Sequence, residues 1–226
     1  MPYILLALAF APGIALSLFV YFKDKFEKEP LTLLLQCFFA GVVAVVPALL
    51  LQLLAEKFEL KASGNIIFVG AYALIVVGLS EEWSKYMFLR WVAYPKKDFN
   101  EPFDGIVYSV MVSMGFATTE NILYVMSGGW EIALLRMFVS VPMHATFAVL
   151  MGYFVGLSKF RQNQRLLRVY GLLVATGFHG FYDFCLLQQS IPLITFGALA
   201  ALGVSIYLSF KAMQSSEKLS PFRRVS

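Results

Sequence analysis

Two adjacent glutamates, Glu81 and Glu82, with Lys85 close behind, sit inside a long apolar stretch. An ionisable group in a bilayer costs at least ~2.5–3.5 kcal/mol on insertion scales, and is tolerated where it faces a bundle interior and has a partner. Glu81 and Lys85 are four residues apart and Glu82 and Lys85 three apart, so all three can share one helix face. Two neighbouring carboxylates in a low dielectric cannot both ionise cheaply, which makes one of them a candidate general base. Other apolar stretches carry Glu120 and Asn121, Arg136 and His144, and His179 with Asp183 at the same four-residue spacing. A carboxylate one turn from an imidazole can fix its tautomer, or both can ligate one ion. His144 follows Pro142, whose kink would open space around it.

Taken singly, each group has a plain structural explanation. Glu82 and Lys85 could be a bare ion pair, a membrane histidine can be a packing residue, and Arg136 can snorkel outward. Gly152 and Gly156 form a GxxxG that packs helices, and Phe116 reads as core. Their depth argues for a shared site. Glu81 and Glu82, Glu120, His144 and His179 all fall near the midpoints of four separate apolar spans, and unrelated accidents would scatter.

The elements that must hold these residues are membrane helices. Of 226 residues, 59% are hydrophobic and 14% charged, against about 25% charged in a soluble domain. Mean hydropathy is +0.73. Seven spans are expected, at about 2–22, 31–55, 64–93, 104–127, 131–158, 168–189 and 191–211, each near the ~20 residues a crossing needs. The last two are separated only by the Ser190-Ile191-Pro192 corner. The fold class is therefore an all-α polytopic bundle, a single membrane domain over 1–226 with its motif-bearing core at about 64–189. The first span lacks a basic region before it and reads as retained rather than as a secretion signal. With the N-terminus outside, the cytoplasmic connections hold fourteen Lys and Arg residues and the outer ones two, which predicts N-out, C-in. The net charge of +4 forms no basic stripe, so nucleic acid is excluded as a partner. Cys37 and Cys185 lie in apolar blocks without CxxC spacing and read as buried hydrophobes.

The set Glu81-Glu82-x-x-Lys85, Phe116-x-x-x-Glu120-Asn121, His144 and His179-x-x-x-Asp183 resembles the PrsW family of intramembrane proteases, relatives of the CAAX-processing membrane proteases. Ala11-Pro12-Gly13, Asp104-Gly105-Ile106-Val107-Tyr108 and Gly115-Phe116-Ala117-Thr118 also look like segments of that family, so the resemblance covers most of the chain. The wider superfamily has EExxxR and FxxxH. Lys85 one position early and Glu120 in place of the histidine favour the PrsW branch.

The resemblance implies a multi-pass protease of the bacterial plasma membrane. Such an enzyme makes the first cut in a single-span anti-sigma factor, on its extracytoplasmic side, and a site-2 protease then acts on the product. A CAAX-type prenyl-protein endopeptidase, or a transporter or scaffold with a proton relay, are the rival readings. Glu81, Glu82, His144 and His179 are the expected catalytic residues, with Lys85, Glu120, Asn121, Asp183 and Arg136 in support. A glutamate-driven reaction needs no cofactor and is favoured here. A metal version would place one divalent ion, zinc, on His144, His179 and Glu120.

Overall fold

A computed structural model describes residues 2–58, 60, 65–188 and 191–223; Lys61 and Arg224, which belong to the outer and cytoplasmic loop charges, and Ser190 of the corner lie outside them. The described residues form helices and no strands. They are α1 (Pro2–Lys23), α2 (Leu31–Lys57), α3 (Ile66–Ala71), α4 (Ser80–Val92), α5 (Pro102–Leu135), α6 (Val141–Lys159), α7 (Gln164–Leu187) and α8 (Pro192–Lys218). A π-helical stretch, Tyr72–Leu79, joins α3 to α4, and a second, Arg136–Ser140, joins α5 to α6.

Five helical runs are long and apolar enough to cross a membrane: Tyr3–Lys23, Leu31–Lys57, Ile66–Val92, Pro102–Lys159 and Pro192–Lys218. The chain is an all-α polytopic membrane protein. The Pro102–Lys159 run has 58 residues. At 1.5 Å per residue it is far longer than the ~30 Å hydrocarbon layer. It breaks at Gly129, whose φ of 71° and ψ of −152° leave the helical region, a conformation glycine reaches without Cβ strain. α7 is absent from the five because Arg165, Arg168, His179 and Asp183 dilute its apolar residues. α5, α7 and α8 outrun the expected spans, ending at Leu135, starting at Gln164 and ending at Lys218, since a helix keeps its backbone bonds beyond the hydrocarbon edge.

The first half of α5 is the central rod. Every residue from Pro102 to Thr118 is buried, packed between α1, α2 and α6. Phe103, Ile106, Tyr108 and Met114 meet Met143, Phe147 and Met151 of α6 in one core. Gly152 and Gly156 let α6 lie directly on Gly105 of α5, the packing role expected of the GxxxG. On the outside, Phe39, Val43, Val46, Leu50 and Leu53 of α2 are exposed, as lipid-facing residues should be. Both cysteines are buried free thiols.

The α1–α2 connection buries acids. Asp24 and Glu29 are 2% and 4% exposed, near Glu101 and Asp104, and the Tyr108 hydroxyl donates to Glu29. Burial, followed by the charges of Glu101 and Asp104, raises Asp24 from 3.8 to about 7. Burial, followed by the Asp104 charge, raises Glu29 from 4.5 to about 10. Both shifts are upward, so the fold favours the protonated forms. The stability they contribute is complete below about pH 4 and is lost as pH climbs through 7 for Asp24 and on toward 10 for Glu29. Thermal unfolding in detergent should therefore shift to lower temperature from pH 5 to pH 9, and Asp24→Asn should flatten the lower part of that slope. A slope unchanged by Asp24→Asn would show that this carboxyl does not set it.

Candidate functional site

α4 presents Glu81, Glu82 and Lys85 inward because the π-helical stretch before it rests on the backbone of α7. A Cβ on Gly78 would lie 2.9 Å from the Gly180 amide nitrogen, and a Cβ on Gly180 would lie 2.6 Å from Leu74 Cα. Only glycines allow that approach, and it sets Glu82 beside His179, one residue before Gly180. The second π-helical stretch lies just ahead of Pro142, which offers no N–H to the ladder, and it delivers α6 with His144 facing the same space. Ser113 of α5 donates to the His144 carbonyl at 2.9 Å, and Ser84 of α4 donates to the Ala44 carbonyl at 2.6 Å, so both helices are fixed in rotation.

The side chains meet in a continuous network. Lys85 Nζ is 2.8 Å from Glu82 Oε1, 3.4 Å from Glu81 Oε2 and 3.1 Å from His144 Nδ1. It also lies over the Phe116 ring at 4.2 Å, so Phe116 is core and cation partner together. His179 Nδ1 is 2.8 Å from Glu82 Oε1, and its Nε2 is 3.7 Å from Glu81 and 3.3 Å from Asp183. Glu120 Oε2 is 3.0 Å from His144 Nε2 and accepts from Arg136 Nη2 at 2.8 Å. Arg136 Nε donates to Asn121, which in turn donates to the Ala9 carbonyl of α1, both at 3.0 Å. Glu81, Glu82, Lys85, His144 and His179 are all buried. Lysine only donates, so His144 accepts at Nδ1 and carries its proton at Nε2, aimed at Glu120.

All nine residues singled out in the sequence thus belong to one cluster, in unequal positions. Glu81, Glu120, Arg136, His144, His179 and Asp183 line a cavity of about 410 Å³. Glu82, Lys85 and Asn121 stand behind that wall. Sequence reasoning passed over Gln52, whose amide donates to Glu81 Oε1 at 3.2 Å, and Tyr124 and Tyr182, which also line the cavity. The signal for Gln52 was available: it is one of two amides, with Gln36, within the apolar run of α2. The tyrosines gave none, since interfacial tyrosines are common in membrane helices.

A Glu81 oxygen and one ring nitrogen each of His144 and His179 lie within 4.8 Å of one another. Two imidazoles and a carboxylate, with a fourth position open, are a ligand set of catalytic zinc. The carboxylate in this group is Glu81 rather than the expected Glu120, which is taken up by Arg136 and by the far nitrogen of His144. A cation there would compete with Lys85 for His144 Nδ1, but Glu82 holds the ammonium at 2.8 Å either way. The residues fit a divalent metal.

The family model for "PrsW family intramembrane metalloprotease" matches residues 29–213. The chain belongs to that family. Its curated relatives include three proteins named Protease PrsW. That of Geobacillus kaustophilus is 39% identical over 82% of this chain and 80% of its own length, and that of Bacillus subtilis 39% over 80% and 81%. That of Clostridioides difficile is 35% identical over 82% and 80%. No solved structure matches the chain significantly. Membership makes the chain a membrane-embedded bacterial protease, which displaces the transporter and scaffold readings.

Proposed function

We propose that this PrsW-family protease makes the first cut in a single-span membrane anti-sigma factor, at a metal centre held by Glu81, His144 and His179. The observation that carries the metal centre is the approach of those three ligand atoms within 4.8 Å. The anti-sigma factor and the site-2 protease that would follow rest on the family resemblance, and the departures at Lys85 and Glu120 set CAAX processing aside.

A metal bound there would activate a water and polarise the scissile carbonyl. The protein's own groups do the rest. Glu82 holds His179 through Nδ1, and Glu120 holds His144 through Nε2, the outer carboxylates that orient metal-bound imidazoles. Lys85 offsets the charge of Glu82. Asp183, on the cavity wall 3.3 Å from His179 Nε2, is placed to pass a proton to the leaving amine. Burial of the cluster keeps bulk water away and strengthens each of these interactions.

Seven crossings with the N-terminus outside complete the reading, counting two in the Pro102–Lys159 run and one in α7. Reporter fusions in the 56–63 connection should then read extracytoplasmic and those at 159–168 cytoplasmic; the reverse would move the cut to the other side of the membrane. The function itself is tested by incubating purified protein in detergent with a single-span anti-sigma factor and, separately, with a prenylated peptide. Cleavage of the first alone, near the outer end of its span, is expected. Cleavage of the prenylated peptide alone would replace this substrate with the CAAX class.

A further inference from the structure

A groove of about 730 Å³ runs between α6, α7 and α8, away from the catalytic cluster. Its floor is apolar, from Leu150 and Phe154 of α6, Val174 and Phe178 of α7, and Leu208 of α8. Its other end is polar and cationic, with Lys211, Gln214, Ser215 and Lys218 of α8. These four stand at i, i+3, i+4 and i+7, so one helix face carries both lysines. Among the described residues, neither lysine lies within ion-pair distance of a carboxylate. The nearest acid in sequence, Glu217, is engaged elsewhere, 2.8 Å from Lys25. Lys211 instead rests over the Tyr207 ring at 4.7 Å.

We infer that this groove binds one anionic phospholipid, its acyl chain along the floor and its phosphate between Lys211 and Lys218. The length fits. The expected span ends at Lys211, so Leu208 and the apolar floor lie inside the hydrocarbon edge while Lys218, seven residues or about 10 Å further on, lies at headgroup level. The charge fits as well: two lysines with no carboxylate partner among the described residues, at the end of a membrane helix, select a headgroup with net negative charge over a zwitterionic one. A second copy of this chain would bring the same lysines to the interface and repel.

The full-length protein in detergent is titrated with phosphatidylglycerol, with phosphatidylcholine of the same chains, and with inorganic phosphate, and bound lipid is counted by native mass spectrometry. Phosphatidylglycerol should bind about tenfold more tightly than phosphatidylcholine, and inorganic phosphate should neither bind nor displace it. The double variant Lys211→Gln, Lys218→Gln should lose the preference while keeping phosphatidylcholine binding, and Val174→Trp should weaken both lipids. Lys218→Gln alone, at an exposed helix end, serves if the double variant does not fold, and should lose part of the preference. Equal binding of the two lipids by the unaltered protein, or a preference that survives the lysine changes, overturns the proposal. So does a dimer that excludes lipid from the groove. None of these readouts uses cleavage, so they are independent of the substrate.

Discussion

Glu81→Gln should stop substrate cleavage and, at the proposed metal centre, lower the zinc content of the same preparation. Among the described residues Glu81 is the carboxylate grouped with both histidines, and it also lines the 410 Å³ cavity. Replacing it removes an anionic oxygen from the reacting centre while keeping the size of the side chain. The expected loss in rate is about a hundred- to ten-thousandfold, the range for removal of a group that handles the reacting proton, and greater if the metal leaves altogether. Zinc per chain, measured on protein whose unfolding temperature is unchanged, separates the two mechanisms. Under the metal reading, Glu81→Gln, His144→Ala and His179→Ala each lower the zinc content. Under a glutamate-driven reading, cleavage by the unaltered enzyme survives a strong chelator, and Glu81→Gln abolishes it with no change in metal. Chelator-resistant cleavage would therefore reject the metal centre and leave Glu81 as the base.

The second large effect is expected at Glu120 and Arg136, neither of which belongs to the triad. Glu120 receives the His144 Nε2 proton at 3.0 Å and is itself held by Arg136 at 2.8 Å, while Asn121 ties Arg136 to the α1 backbone. Outer carboxylates of this kind set the tautomer and orientation of a ligating imidazole, and losing one costs about 10- to 100-fold in metal affinity or activity. Glu120→Gln should therefore lower kcat and zinc affinity together, in that range, with little change in KM. Arg136→Gln should do the same more weakly, because its effect passes through Glu120. In the double variant the two losses should fall well short of their product, since removing Glu120 leaves Arg136 nothing to position. Fully multiplicative losses would show that Arg136 acts on something other than Glu120, and an unchanged zinc affinity in Glu120→Gln would detach Glu120 from His144.

Much of this molecule follows from the order of its residues. Long apolar blocks force helices, because in lipid only a helix or a closed barrel satisfies every backbone group. Rise along a helix is fixed at 1.5 Å per residue, so depth can be counted, and counting put Glu81, Glu120, His144 and His179 at one level. Pairs within one turn were equally legible: Glu82 with Lys85, and His179 with Asp183. Rotation about each helix axis was not. It decides which group at a given depth looks into the cavity, and here it depends on packing between distant segments, such as Gly78 against Gly180. The two π-helical stretches, Tyr72–Leu79 and Arg136–Ser140, also break the 3.6-residue period just ahead of Glu81 and His144, so any facing counted from the flanking helices is lost there. For that reason tertiary structure alone decided that Glu81, rather than Glu120, joins the two histidines, and that Gln52 of α2 reaches Glu81.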